Sequence, residues 1–249
     1  MSKKVIIALI TVAILILVFI KINSNKDNDT NMNANNNTNI DNCNHIETKN
    51  NSQNGWGEPI QIPWTTTDKP IIYIYPTKSI NVSIILGNSQ YISHSYPKYT
   101  NGWNVTANPD GTLIDNYTGR KLYALYWEGR DFEKDKSMNE GLCIKGEDTI
   151  KFLEEKLVIL GLNEREAEEF IIYWLPKMEN NKYNYIRFET IEEQNIAMPL
   201  DINPKPDTLI RIMMDWKGLE NKVEVKEQIL TPVKREGYTV VEWGGSELK

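Results

Sequence analysis

The sequence has few of the residues on which metal and thiol chemistry depend. Its 249 residues include two cysteines, Cys43 and Cys143, and two histidines, His45 and His94. Neither histidine has a second ligand three or four residues away and there is no Cys-x-x-Cys pair, so we predict no metal site and no other cofactor. Cys143 with His94 as its base would form a nucleophilic pair, but a lone cysteine between apolar neighbours is more typical of packing. We expect both cysteines to be unpaired.

The signatures of the common enzyme classes are also missing. The chain contains no P-loop, no Gly-x-Gly-x-x-Gly, no Gly-x-Ser-x-Gly, no His-Glu-x-x-His and no Ser-x-x-Lys. Its formal net charge is −6, and no basic run or aromatic RNA-binding signature accompanies it. Nucleic acid is therefore excluded as an expected partner.

The first 22 residues predict a single membrane anchor. Residues 5–20 are apolar apart from Thr11, and a helix continued to residue 22 would be about 27 Å long, against a hydrocarbon core of about 30 Å. No small-x-small cleavage pattern follows the run, which argues against a signal peptide. Lys3 and Lys4 precede it, so the positive-inside rule places the remainder of the chain outside the cytoplasm.

A different composition follows the anchor. Asparagine dominates the stretch "NDTNMNANNNTNIDNCN", which has too few apolar residues to offset the entropy cost of ordering the chain. We interpret residues 23–68 as a disordered linker and residues 69–249 as one extracytoplasmic domain.

The domain has the pattern of an α+β fold with antiparallel sheet and a central inserted helical hairpin. Short runs of β-branched and aromatic residues predict strands at 71–75, 80–86, 102–109, 111–116 and 121–129, and again at 183–189, 197–204, 208–216, 222–230 and 237–245. "TANPDGTLID" is the firmest hairpin signal. The first and last strands are expected to pair or to lie near one another.

The two helices of the predicted hairpin lie between these groups of strands. Gly161 suits the end of the first helix, and Asn163 with Glu166 has the spacing of a capping box that opens the second. Pro176 is expected to kink or end the second helix. The acidic outer face of this helix would repel phosphate, so the pair is predicted to cover the sheet rather than to read DNA.

The domain contains the strings "KPIIYIYP", "YWEG", "KGEDTIKFLEEKL", "GLNEREAEEFIIYWLPKM" and "YTVVEWGG", which together extend over roughly residues 69–245. With these strings the domain resembles an uncharacterised bacterial family of membrane-tethered or secreted proteins. The resemblance implies an extracytoplasmic domain without an assigned activity, and it supplies no catalytic residues.

The candidate site consists of two short segments, each of which contains a tryptophan, a glutamate and a glycine. "YWEGR" contains Trp127, Glu128 and Arg130, and "VEWGG" contains Glu242 and Trp243. If these strand ends meet, the two carboxylates and the two indole rings would share a rim suited to a cell-wall glycan or peptide. Carboxyl groups about 5 to 5.5 Å apart would fit a retaining glycosidase, and about 6.5 to 9.5 Å an inverting one.

The alternative to a binding site is that these residues are structural, with the indole rings in the core and the carboxylates hydrogen-bonded to turn amides.

The function that the sequence favours is that of a membrane-anchored binding or scaffolding domain at the cell envelope. The alternative function is that of a glycosidase-like envelope hydrolase. A hydrolase needs its carboxylates in a cleft, whereas a binding domain needs only an exposed aromatic patch or groove.

The topology can be tested with protease added to intact, wall-stripped bacterial cells that make the full-length protein. Because the predicted anchor leaves the domain outside, we expect the protease to remove the domain while a cytoplasmic marker protein survives. Complete protection of the domain would place it in the cytoplasm and contradict the predicted orientation.

Overall fold

The computed structural model describes residues 66–130 and 138–248 of the chain. The predicted anchor, nearly all of the predicted linker, Cys43 and His45 lie outside these residues. In the part of the chain that is described, no helix is long and apolar enough to cross a membrane. Residues 66–68 form the start of a strand, so the domain begins at least three residues before the predicted boundary.

The described residues have an α+β fold in which strands predominate. The first seven strands are β1 (Thr66–Tyr75), β2 (Ile80–Leu86), β3 (Ile92–Tyr96), β4 (Trp103–Ala107), β5 (Leu113–Asp115), β6 (Lys121–Leu122) and β7 (Leu125–Arg130). The others are β8 (Glu140–Lys145), β9 (Tyr183–Phe188), β10 (Leu200–Asn203), β11 (Thr208–Leu219), β12 (Lys226–Glu227) and β13 (Thr239–Glu247). The α-helices are α1 (Thr149–Ile159), α2 (Glu164–Met178) and α3 (Ile191–Ala197).

These strands form two sheets. The larger has the order β12-β8-β9-β11-β13-β1-β7-β3, and the smaller has the order β10-β2-β4-β5-β6. The first and last strands pair antiparallel, as predicted. The prediction of purely antiparallel sheet is wrong for the larger one, because β11 pairs parallel with β13 and β12 pairs parallel with β8.

Strand β1 shows why the larger sheet lies in the middle of the domain. Its run "IIYI" is apolar at every position because both faces of the strand are covered. Ile71 and Tyr73 pack in a core with α1 and α2, whereas Ile72 and Ile74 pack in a second core with the smaller sheet. The domain therefore has three layers: a helical pair, the larger sheet and the smaller sheet.

The helical hairpin forms where the sequence predicts it. Asn163 accepts a hydrogen bond from the backbone of Glu166, whose carboxylate accepts one from the Asn163 backbone, so the capping box is present. Helix α2 continues past Pro176 to Met178, so the proline lies in its last turn. Phe170 and Trp174 are fully buried against the larger sheet.

Other elements depart from the predicted pattern. Strands β3 and β8 occur where no strand is predicted, and α3 occupies residues that precede a predicted strand or begin it. The turn from β4 to β5 has the predicted form, with Gly111 at a φ of 81° and its amide bonded to the carbonyl of Asn108. That left-handed conformation favours glycine.

Candidate functional site

The structure brings together two of the predicted site residues, Trp127 and Glu242, but it buries both. The indole Nε1 of Trp127 donates to Oε1 of Glu242 at 2.9 Å, and Nε of Arg211 donates to Oε2 at 2.7 Å. The side chains of Arg211 and Glu242 are 1% and 0% exposed. Glu242 therefore has both carboxylate oxygens occupied, inside the core between the two sheets.

The other predicted residues lie elsewhere. Glu242 is opposite Ile72 of β1, which packs towards the smaller sheet with Trp127. Since successive side chains of a strand alternate, Glu128 and Trp243 point to the helical side of the larger sheet. The prediction that Glu128 and Glu242 share one rim is therefore wrong.

Trp243 and Arg130 have separate positions. Trp243 is fully buried in the helical core, where its ring centroid lies 5.2 Å from that of Phe170. Arg130 is exposed at the end of β7, opposite Thr66 of β1. Neither residue contacts the Glu242 network in the described structure, so the predicted mixed rim of acids, indoles and arginine does not form.

Arg211 extends the buried network to the connection between β9 and β10. Its guanidinium donates to Oδ1 of Asn195 in α3 at 3.0 Å and to the carbonyl of Met198 at 2.9 Å. A buried charge that is fully hydrogen-bonded in this way holds secondary-structure elements together. In the sequence, this network is indicated by a single arginine, Arg211, inside the otherwise apolar run "LIRIMM" of β11.

A small cavity lies beside this network, lined among others by Trp127, Gln194 and Arg211. Its volume of about 10 Å³ is close to the space that one water molecule needs. Gln194 donates to the carbonyls of Glu189 and Arg211, and its Oε1 has no hydrogen-bond partner in the described structure. The cavity is too small for a sugar ring, so Glu242 does not face a substrate cleft here.

Four accessible tyrosines form a different candidate site on the helical side of the larger sheet, which we call the tyrosine face. They are Tyr96, Tyr123, Tyr126 and Tyr173. Tyr96 and Tyr123 are 47% and 48% exposed, and Tyr126 and Tyr173 are half-buried. Tyr96 of β3 is directly opposite Tyr126 of β7, so strand pairing aligns these two rings.

Helix α2 borders the tyrosine face with a row of side chains spaced four residues apart. The row consists of Arg165, Glu169, Tyr173 and Lys177, which the helical repeat places along one edge. Arg165 lies over the ring of Tyr123, 4.6 Å from its centroid. Glu169 accepts a hydrogen bond of 2.7 Å from the hydroxyl of Tyr73, a buried tyrosine whose centroid is 6.3 Å from that of Tyr123.

Carboxylates lie at intervals along the tyrosine face, each with a cationic or ionisable neighbour. Glu169 pairs with Arg165 at 2.9 Å and Asp68 pairs with Lys177 at 3.3 Å. Glu128 lies 3.7 Å from Nδ1 of the exposed His94, its cross-strand neighbour. The face therefore combines aromatic rings with hydrogen-bonding groups and carries little net charge.

Two phenol groups of this region, those of Tyr73 and Tyr126, have raised pKa values. Burial raises the pKa of Tyr73 above its usual value, and the neighbouring Glu169 carboxylate raises it further. Burial also raises the pKa of Tyr126, with a further contribution from its hydrogen bond to Glu128. Their hydrogen bonds to Glu169 and Glu128 fix the positions of these two carboxylates beside the tyrosine face.

The structure does not bring Cys143 and His94 together. Cys143 is on β8 and His94 is on β3, with five strands between them in the larger sheet. At about 4.8 Å per strand, that separation is roughly 29 Å. Cys143 is a free, half-buried cysteine, and the described residues contain no cluster of three or more metal-ligating side chains.

The chain matches no protein-family model, and comparison with curated proteins and with solved structures finds no similar protein. The functional argument therefore rests on the geometry of the domain.

Replacing Glu242 with glutamine should be strongly destabilising. The change leaves the buried guanidinium of Arg211 without its counter-charge, and breaking a buried pair in this way costs about 3–5 kcal/mol. Glu247→Gln is the matched control, because Glu247 is exposed on the same strand and should change stability by no more than about 0.5 kcal/mol. Equal denaturation midpoints for the two variants would show that the Arg211–Glu242 pair does not stabilise the fold.

The raised tyrosine pKa values predict a loss of stability in alkali. Burial raises the pKa of Tyr238 to about 12, and Tyr73, Tyr75 and Tyr126 are also raised, first by burial and then by neighbouring carboxylates. Tyrosines of the unfolded chain ionise near pH 10. The folded state thus holds these protons more tightly, so the contribution of these tyrosines to stability should be constant below about pH 10 and be lost as the pH rises above it.

This alkaline transition can be followed by tyrosinate absorbance and circular dichroism on one sample. We expect part of the absorbance change to appear only when the fold is lost. Ionisation of all 12 tyrosines with the circular dichroism spectrum unchanged would contradict the prediction.

Proposed function

We propose that this protein is a membrane-anchored binding domain that takes a carbohydrate polymer of the cell envelope on its tyrosine face. The observation that carries the proposal is the alignment of Tyr96, Tyr123, Tyr126 and Tyr173 on one accessible face, bordered by carboxylates and cationic groups. Aromatic rings beside a few fixed polar groups are the usual composition of a ligand-binding surface.

Sugars suit this surface better than an apolar ligand does. A sugar ring has a face of C–H groups that can stack on a phenol ring and a rim of hydroxyl groups that need polar partners. Glu128 and Glu169 offer oxygen acceptors, and Lys177 and Arg165 offer donors. The spread of these groups along α2 and β7 favours an extended polymer over a small compact molecule.

The hydrolase alternative has less support. A glycosidase needs two carboxyl groups on either side of one bond, whereas Glu128 and Glu242 lie on opposite faces of the larger sheet. Glu242 is buried with Arg211 and Trp127, so it is not positioned to protonate a leaving group. Binding without bond cleavage is the function that the geometry favours.

The proposal includes attachment to the membrane because the apolar run at residues 5–20 is suited to a membrane anchor. The predicted linker extends from residue 23 to residue 65 once the residues of β1 are removed. As a flexible coil it would span about 35 Å. That reach would keep the domain close to the membrane side of the envelope.

The proposal predicts that single tyrosines of the face contribute measurably to binding. Tyr123→Ala should weaken the binding of purified cell-wall glycan strands to the full-length protein in detergent by about 2- to 13-fold, since an aromatic contact is worth about 0.5–1.5 kcal/mol. Tyr117→Ala is the control, because this tyrosine is 96% exposed in the loop between β5 and β6. Isothermal titration calorimetry gives the affinities.

Two outcomes of this titration would count against the proposal. Equal affinities for the two variants would exclude the tyrosine face as the contact surface. Binding of stem peptides released from the wall, with no binding of glycan strands, would show that the ligand is a peptide and not a carbohydrate.

A further inference from the structure

Lys69 has an unusual backbone conformation at one end of the tyrosine face. Its φ is 60°, and it is the one non-glycine residue of the described chain with a positive φ. This left-handed conformation is unfavourable for a lysine. Such residues persist where the surrounding structure holds them, and they are concentrated at functional sites.

The conformation belongs to an irregularity in β1. The pairing of β1 with β13 shifts between Asp68 and Ile71, and its pairing with β7 shifts between Thr67 and Ile71. Bulges of this kind change the direction in which a side chain points. Here the ammonium group of Lys69 lies 5.4 Å from the centroid of the Tyr173 ring, on the helical side of the sheet.

A second ammonium group lies at the same ring. Nζ of Lys177 is 4.3 Å from the Tyr173 centroid, and it also pairs with Asp68 at 3.3 Å. Lys69 is different, because no carboxylate of the described residues lies within ion-pairing distance of it. Lys69 is also half-buried, so its charge is partly removed from water without a counter-charge in the described structure.

We infer that Lys69, which like Lys177 lies at the ring of Tyr173, binds an anionic group of the carbohydrate that the tyrosine face holds. This inference rests on the proposed function and adds to it the charge of the ligand. The polymer would stack on the tyrosines and place one carboxylate or phosphate at the Tyr173 end. Lysine serves either anion as a compact point charge with rotatable donors.

The geometry favours an anion over a hydroxyl group at this position. A hydroxyl group of the ligand would leave the charge of Lys69 without a counter-charge among the described residues. An anion balances that charge and accepts a charge-assisted hydrogen bond from the ammonium group of Lys69, and such bonds are about twice as strong as neutral ones. The bulge then has a functional reason, because it places the ammonium of Lys69 beside the ring.

The test compares Lys69→Asn with Lys78→Asn in the full-length protein. Asparagine tolerates positive φ, so Lys69→Asn removes the charge with little change in the backbone requirement, and Lys78 is an exposed lysine of the β1–β2 turn. Three probes are titrated at low and high salt: a neutral glycan strand, one carrying carboxylates and one carrying phosphates. Thermal denaturation of each variant confirms that it is folded.

We expect Lys69→Asn to weaken the binding of one anionic probe by about fivefold at low salt, the scale of a partly exposed ion pair, and to leave the neutral strand unchanged. The probe that loses affinity identifies the anion as carboxylate or phosphate. The salt dependence of wild-type binding to that probe should fall in the variant. Lys69→Arg should retain most of the affinity, since it keeps the charge.

The inference is overturned if Lys69→Asn and Lys78→Asn bind every probe equally well, or if Lys69→Asn weakens the neutral strand as much as the anionic ones. In either case the tyrosine face could still bind glycan, so the proposed function would stand. If wild-type protein binds none of the probes, the proposed function itself fails. Should Lys69→Asn not fold, Lys69→Gly, which suits positive φ without a side chain, takes its place.

Discussion

The ion pair between Arg211 and Glu242 is the constraint on which the arrangement of the domain depends. The two residues are direct neighbours on the parallel strands β11 and β13, and both side chains are buried between the sheets. A buried charge without a partner is very costly, so each residue requires the other on the same face of the sheet. Since side chains alternate along a strand, this requirement fixes the side of the larger sheet to which each residue of β13 points.

The orientation of the tyrosine face follows from that constraint. Because Trp127 of β7 donates its indole N–H to Glu242, it must point towards the smaller sheet. The alternation of side chains then directs Tyr126 and Glu128 to the helical side, where β3 adds Tyr96 and α2 adds Tyr173. A network in the core thus determines the chemistry of an accessible surface on the other side of the sheet.

Local patterns in the sequence predict the local parts of this structure. The capping box at Asn163, the turn at Gly111 and the strand at residues 71–75 each involve neighbouring residues, and all are present. The parallel pairing of β11 with β13 and the short helix α3 depend on distant parts of the chain, and no local pattern indicates them. The predicted rim conflicts with the alternation of side chains along a strand, since the adjacent residues Trp127 and Glu128 must point to opposite faces of the sheet. The tyrosine face also required the structure, because it is assembled from β3, β7, the connection between β6 and β7, and α2.

Hydroxyl-radical footprinting of the full-length protein, with and without cell-wall glycan strands, tests the central claim most directly because it labels tyrosine rings according to their exposure. Glycan binding should protect Tyr96, Tyr123, Tyr126 and Tyr173, and it should leave the highly exposed Tyr117 labelled as before. Protection confined to Tyr117 and other rings outside the tyrosine face, or unchanged labelling of all rings at saturating glycan, would contradict the account.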